Sequence, residues 1–486
     1  MTINQYISMK QSCFLWPYTV VIILCCTCFT GCKSFDINGE IKSLSRDHKI
    51  SESEFIELQG KLKGEGGKYE KFSDQEELYK YILKSLDLQK ISAEVWNPKP
   101  EEHLKPFNVN VYLENSASMD GYVEGVTDFE NTIYEMLANI KTNSNTDSLN
   151  LNYINKIIPF HRANAKSSDI KDFIKDLDPA TFNARGGSRY SSDLAVVIET
   201  VLDRTNPSNA SVLISDFVFS PGSGANAQDY LKNQNLSINM KIKEKLKKEQ
   251  FAIAIYQLKS DFNGPYFDLN DKPTPFKGQR PYYIWIVGTE PQLKSLLNSQ
   301  VINNSNKGLL EKAVFKSTEK AKDAPFKLVM SNRTGDFRLG TDRDEIQNPK
   351  ADANGEFGFS VAVNFDGDLR GDSYFLDPEV YQVGNNYTVS PRLLTEKERS
   401  SPALKGFTHL LVLKTKQFTN QDIDIAVEAK SPSWVENSTS LDDTHIKDGE
   451  LKTFGLKYLI DGVSEGFNFL PTQEDNIISK IRIKIK

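Results

Sequence analysis

The sequence predicts three parts in order. A small helical segment comes first, then an α/β doubly wound domain with a mostly parallel sheet, then a mainly antiparallel β-sandwich-like domain. Three observations carry this. Between about residues 105 and 300, short apolar runs alternate with segments of helical period, which is how a sheet covered by helices on both faces is written. Beyond residue 325 the apolar period becomes two, as at Phe357, Phe359, Val361, Val363 and Phe365. All five cysteines (Cys13, Cys25, Cys26, Cys28 and Cys32) lie in the first 32 residues. The body therefore has no disulfide, thiolate zinc site or cysteine nucleophile to build on.

The chain has 486 residues and a formal charge of −6, with 26% charged residues. Such length implies more than one domain and enough chain for proper cores. The acidic balance argues against a general nucleic-acid binder, which needs a basic surface to release counterions.

Residues 1–31 read as an export signal. Lys10 is the one charge before an apolar run that includes Phe14, Leu15, Trp16 and Val20 to Leu24, and Phe29-Thr30-Gly31-Cys32 closes it. Small residues before a cysteine resemble the bacterial lipobox, where cleavage leaves the cysteine as the acylated first residue. The resemblance implies a lipid on Cys32 and a chain held in the bacterial cell envelope, at the outer membrane. The alternative is an uncleaved anchor, since residues 13–31 nearly span a bilayer. Several acyl chains anchor firmly where one does not.

Residues 32–50 are expected to be a tether, polar and without period. Residues 51–104 are expected to be a helical hairpin. Ser51 with Glu54, and Ser73 with Glu76, are capping-box pairs before Phe55, Leu58, Leu62 and before Leu78, Ile82, Leu86. In the 105–300 domain, Val109, Val111 and Leu113 form the first strand. Thr127 and Glu130 cap a helix bearing Ile133, Leu137 and Ile140. Leu149, Leu151 and Tyr153 alternate as an edge strand, and Ile170, Phe173, Ile174 and Leu177 are helical. Leu194 to Val201 is a helix, Val212-Leu213-Ile214 a buried strand, and residues 236–249 a lysine-faced helix. Phe251–Leu258 and Tyr282–Val287 are strands, and Thr289 with Gln292 caps the last helix. Residues 301–325 read as a linker. The 326–486 domain carries strands at His409–Leu413, Ile423–Ala429 and Ile481–Ile485, with one helix over Leu456–Val463.

Ligands of doubly wound sheets sit at the carboxyl ends of strands, so the loops there hold the candidate site. The first strand runs into Glu114-Asn115-Ser116-Ala117-Ser118-Met119-Asp120. Ser191-Ser192-Asp193 precedes a helix, and the central strand ends at Ser215-Asp216. This pattern resembles the von Willebrand factor type A domain, over roughly residues 105–300. That family carries a metal-ion-dependent adhesion site built from Asp-x-Ser-x-Ser, a Thr before a helix and a later Asp. By this resemblance Ser116 and Ser118 match the serines, Ser192 the Thr, and Asp216 the distal Asp. Glu114 replaces the leading Asp. The resemblance implies a Mg2+ or Mn2+ site whose open position accepts a carboxylate from a protein partner. Hard cations of this kind take an octahedral shell of oxygen donors, which serine hydroxyls and carboxylates supply. The longer side chain of Glu114 either coordinates directly or crowds the site. Asp120, Tyr122, Arg185, Arg189 and Tyr190 are expected on the rim, where exposed Tyr and Arg favour partner contact.

Other motifs are weak. Arg370-Gly371-Asp372 is read as a turn, and Arg370 spoils a calcium loop begun by Asp366-Gly367-Asp368. The five histidines show no ligand spacing, and there is no P-loop or dinucleotide fingerprint. Trp434 reads as a packed sandwich residue. Three functions are therefore weighed. The first is a lipid-anchored module for protein binding or adhesion; the second is a structural or assembly lipoprotein with a degenerate site. The third, less favoured because no histidine is placed as base, is a metal-assisted hydrolase using Ser116 or Ser118, with Asp120 as the available base.

Overall fold

A computed structural model describes residues 35–486 apart from 97, 99–103, 144, 191, 192, 220, 222, 223, 225, 304, 305, 318–321, 342, 385 and 469–475. The export signal, Cys32 and Ser192 lie outside the described residues. No helix among those described is long and apolar enough to cross a membrane. The chain divides into two units, residues 1–103 and 104–486.

In the first unit, helices α1 (Ile37–Leu44), α2 (Glu52–Glu65) and α3 (Gln75–Gln89) accompany two short parallel strands, β1 (Lys49–Ile50) and β2 (Glu94–Val95). The capping box at Ser51 forms: Glu54 N donates to Ser51 Oγ at 3.4 Å, and Ser51 N to Glu54 Oε2 at 2.8 Å. At α3, Asp74 Oδ1 accepts from Glu77 N at 3.1 Å. The stretch expected as a tether carries α1, because Ile37 and Ile41 are four apart and bury against Phe55, Leu58, Leu78 and Ile82. Two apolar residues in an otherwise polar run made that helix hard to see; the pairing with α2 and α3 stabilises it.

The second unit is built on a seven-stranded sheet, and it is mixed rather than mostly parallel. Its strands are β3 (Phe107–Glu114), β4 (Thr146–Ile154), β5 (Phe160–Arg162), β6 (Asn209–Ser215), β7 (Ala252–Phe267), β8 (Pro273–Gly288) and β9 (Leu309–Lys316), in the order β5-β4-β3-β6-β8-β7-β9. Pairs β3–β4 and β3–β6 are parallel, whereas β8 is antiparallel to both β6 and β7. The cause is local. After β7 the chain turns straight back instead of crossing over through a helix, so the returning strand enters the sheet beside its predecessor. Both strands are 16 residues long, and their distal half, with Pro265, Pro273 and Pro275, had no strand signature. The expected linker also contains β9, which pairs with β7 from Leu258↔Leu309 to Ala252↔Lys316.

Helices cover both faces. α4 (Asp128–Thr142), α5 (Ser167–Lys175) and α9 (Glu290–Asn298) bury Ile133, Leu137, Ile170, Leu293 and Leu296 against Val109, Val111 and Leu113. α7 (Leu194–Arg204) and α8 (Ala227–Leu246) bury Ile198, Ile238 and Ile242 against Tyr112, Leu213 and Trp285. The short helix α6 (Pro179–Ala184) joins α5 to the loop before α7.

Beyond it, two sheets enclose a second core. One runs in the order 326–334, 357–363, 409–415, 388–393; the other contains 336–339, 345–350, 477–485, 423–428 and 381–383. Phe357, Phe359, Val361, Leu411, Ile425, Val427 and Ile483 face each other between them. The pairing is mainly antiparallel, with 345–350 and 477–485 parallel. The helix Leu456–Phe467 belongs elsewhere: Leu459, Ile460 and Val463 pack into the α7/α8 core. Trp434 goes with it and packs in that same core, not in the sandwich. Arg370 is 3% exposed and pairs with Asp368 at 3.1 Å, so the tripeptide it opens is not displayed as a unit.

Candidate functional site

β3, β4 and β6 all end on the same edge, and the candidate residues come from the loops there. Leu113 pairs with Ile214, and Glu114 with Ile154, so the residues beyond each strand end lie side by side.

After Glu114 the chain runs through Asn115 and Ser116 into a 3-10 turn, Ala117–Tyr122. The turn is apolar underneath, with Met119, Tyr122 and Val123 in the core below. Its polar residues are left on the upper side. Ser116 Oγ and Ser118 Oγ share a hydrogen bond at 3.0 Å. Asp216, 3% exposed, follows β6 and accepts from Val218 N at 3.2 Å. Burial raises the Asp216 carboxyl above its usual range; the Val218 amide, the Ser118 hydroxyl and the Arg280 guanidinium pull it back. Phe217 next to it holds φ at +52° and stacks on Trp285 at 4.9 Å, which fixes the direction of the strand end. A bulky residue in that region costs roughly 1–3 kcal/mol and persists only where packing over-determines it.

Glu114 is 1% exposed and accepts a hydrogen bond from Ser215 Oγ, which in turn accepts from Phe217 N at 2.8 Å. Its carboxylate is thus engaged across the β3–β6 pair.

Three residues outside the expected set build the loop. Asn115 Nδ2 donates to Phe182 O at 3.0 Å. Asn155 Nδ2 donates to Asn115 Oδ1 and to Gly186 O, each at 2.9 Å. Gly187 closes over this pair with φ +84°, where a Cβ would stand 2.1 Å from Asn155 Oδ1. The signal was present in the sequence: Leu113-Glu114-Asn115 and Tyr153-Ile154-Asn155 end adjacent strands alike. The third is Arg280, 2% exposed, whose place in the sheet depends on the unforeseen hairpin and whose charge favours the ionised form of Asp216.

The expected rim divides. Tyr190 is 76% exposed and fits a contact surface. Arg185 is half-buried, its guanidinium 5.3 Å from the Tyr153 ring centre. Tyr122 is a core residue: it is 1% exposed, and its hydroxyl donates to Pro281 O at 2.5 Å. Its spacing within an apolar turn, with Met119 and Val123, turns it inward. Arg189 is also internal. Its Nε donates to Asn115 O at 3.0 Å and its Nη2 to Ser116 O at 3.5 Å and to Asp120. Ala117 N donates back to Arg189 O at 2.9 Å. Asp120 is thereby committed to Arg189. Burial raises its carboxyl, although the guanidinium beside it acts the other way.

No protein-family model and no curated protein matches the chain.

Two cis ligands of an octahedral ion at 2.0–2.1 Å stand about 3.0 Å apart. The Ser116 and Ser118 hydroxyls are hydrogen-bonded to each other at 3.0 Å, a separation that two such ligands would also keep, and Asp216 bonds Ser118. Hydroxyl and carboxylate oxygens are the donors a small hard cation takes, although among the described residues no group of three or more His, Cys, Asp or Glu is placed to hold a metal. The loop that carries it is held from one side by Arg189. From the other side β7 closes in, Gly264 being so near Gly121 that a Cβ would lie 2.7 Å from its Cα. Asp120, the base expected for the serines, is ion-paired with Arg189, and His161 packs against Tyr153 and Phe173; the carboxylate that meets Ser118 is Asp216.

Proposed function

We propose that this chain is a lipid-anchored protein of the bacterial envelope, tethered through Cys32. Its α/β domain, of von Willebrand factor type A kind, serves as a protein-binding module. The observation that carries the reading is the convergence of Ser116, Ser118 and Asp216 at the carboxyl ends of β3 and β6, where the two hydroxyls are hydrogen-bonded to each other and Asp216 bonds Ser118. Ser116, Ser118 and Asp216 would hold Mg2+ or Mn2+, with Ser192 joining by the family pattern. Bound there, the ion supplies a Lewis-acidic position for an acidic side chain of a protein partner. The chain's own part is to keep the loop rigid: Arg189 grips two carbonyls of it, and Asn115 and Asn155 tie it to the neighbouring loops. Tyr190, exposed beside the site, would meet the partner.

The test is thermal melting of the purified chain across a Mg2+ or Mn2+ titration. A ligand held by the native state raises stability by about 2.7 kcal/mol at a hundredfold excess over Kd. The wild type should gain melting temperature and Asp216→Ala should not. Wild type and variant responding alike would refute the metal-mediated version.

The engagement of Glu114 with Ser215 favours one second reading. If that carboxylate is unavailable to hold metal-bound waters, the protein is an assembly or structural lipoprotein with a degenerate site. The same titration separates them, since this reading expects metal to change neither melting nor partner capture.

A further inference from the structure

The sandwich carries a pocket of about 500 Å3 at one end of its four-stranded sheet. The strand register builds it. Thr334 stands opposite Gly358, Gly358 opposite Lys414, and Lys414 opposite Thr388, so the four form one row across the sheet. Direct cross-strand partners share a face, and Phe357 and Phe359, on either side of Gly358, are in the sandwich core. The row is therefore on the outer face. Just beyond the strand ends, Glu356, Lys416 and Asn386 line the same pocket. Gln417 closes that side, accepting from Asn386 Nδ2 at 2.9 Å. Further along the same face the surface is apolar and covered, with Ala362 and Leu410 packed against Leu394.

Gly358 is the floor. A glycine inside a central strand weakens it and marks a place of close approach. A Cβ there would stand 3.1 Å from Lys414 Cγ and 3.3 Å from Thr334 Oγ1, filling the trough between them. The lining has a definite chemistry. Lys414 is exposed and has no ion-pair partner among the described residues. Lys416 has only an exposed 3.8 Å contact with Glu356. Two ammonium groups against one carboxylate leave positive charge for an anion. The hydroxyls of Thr334 and Thr388 and the amides of Asn386 and Gln417 both donate and accept, as sugar hydroxyls do. Lysine stems and threonine methyls give apolar surface for the C–H face of a ring. A peptide held by strand addition needs a free edge, whereas strands 357–363 and 409–415 beneath the pocket are paired on both sides. Recognition here falls to side chains.

We propose that this pocket binds an acidic sugar, a uronic-acid unit of a polysaccharide, with its carboxylate on Lys414 and its hydroxyls on the threonine and amide side chains. The proposal does not depend on the metal-site reading.

The experiment is calorimetric titration of the full chain with tetragalacturonate, with maltotetraose as the neutral oligosaccharide, acetate as the bare carboxylate and polyglutamate as the acidic peptide. Wild type should bind tetragalacturonate, and the other three at least about tenfold more weakly, since each lacks either the charge or the hydroxyls. Lys414→Met keeps the stem, removes the charge and should weaken tetragalacturonate about tenfold, the low end for a charge-assisted hydrogen bond. Asn386→Ala should weaken it severalfold. Lys405→Met, at an exposed lysine outside the pocket, should change nothing. Lys414 and Asn386 are both exposed, so unchanged melting temperatures are expected and would show that the fold is intact. No binding of tetragalacturonate, or affinity unchanged in both Lys414→Met and Asn386→Ala, would overturn the proposal. Equal affinity for maltotetraose, acetate or polyglutamate would overturn the assignment to an acidic sugar.

Discussion

Replacing Arg189 by alanine tests whether an internal cation holds the candidate loop. The side chain makes a 3.0 Å bond to Asn115 O, a longer one to Ser116 O, and an ion pair with Asp120. Side-chain exposure is 8% for Arg189 and 17% for Asp120, so solvent takes over little of this. Breaking a buried pair by removing one partner costs about 3–5 kcal/mol, because the other charge stays behind. The stranded carbonyls cost about 1–3 kcal/mol each if water cannot reach them. These overlap, and Asp120 can neutralise itself by taking a proton, so a loss of about 4 kcal/mol at neutral pH is expected. The pH dependence has a definite sign. Burial already raises the Asp120 carboxyl, and losing Arg189 raises it further. A carboxyl raised in the folded state contributes stability at low pH and loses it as pH climbs through the folded value. The Arg189→Ala penalty should therefore grow from pH 5 to pH 8. Urea unfolding of the single variants and of Asp120→Asn/Arg189→Ala gives the cycle, with a coupling of about 1–3 kcal/mol expected. A penalty for Arg189→Ala below about 1 kcal/mol, or strict additivity, would refute the reasoning. Lysine at 189 should rescue only part, since it cannot reach two carbonyls and a carboxylate with a planar fork.

Gly264→Ala should cost about 1–3 kcal/mol by overpacking, because the added methyl meets the Gly121 backbone rather than a movable side chain. A melting temperature equal to wild type would show that the hairpin does not press on the loop. In the helix Leu456–Phe467, Gly462→Ala gains up to about 1 kcal/mol of helix propensity. The new Cβ would stand 2.8 Å from Asn235 O of α8, so net destabilisation is expected in a denaturant melt, and net gain would contradict the close packing of these helices. Glu398 is held at about 2 chiefly by Arg392, with Thr395 assisting. Its stabilisation is present above the ordinary unfolded carboxyl value of about 4.3 and is lost as pH falls from there to about 2. The pair is partly exposed, at 37% and 25%, so Glu398→Gln should remove only about 1 kcal/mol at pH 7 and nothing below pH 2; an equal loss at both pH values would exclude the ion pair as cause.

The apolar periods in the sequence determined the α/β layering. Val109, Val111 and Leu113 alternate because they lie on the one face of β3 that packs under α4, α5 and α9, and helix faces such as Ile133 and Leu137 carry their burial in their spacing. The alternation beyond residue 325 likewise foretold a sandwich core. The positions of Ser116, Ser118 and Asp216 at strand ends followed from the same patterns. What the sequence left open were pairings between distant segments, since a strand's period says nothing about its neighbour. The β7–β8 return placed an antiparallel strand beside β6, and with it the buried Arg280. Exposure at the site was also a tertiary outcome. Tyr122 and Arg189 have the chemistry of contact residues, but the turn that carries Tyr122 buries it under the loop, and Arg189 reaches into that loop from the segment before α7. Residue type gave each side chain its capacity; the backbone path alone decided whether that capacity is spent on a partner or inside the fold.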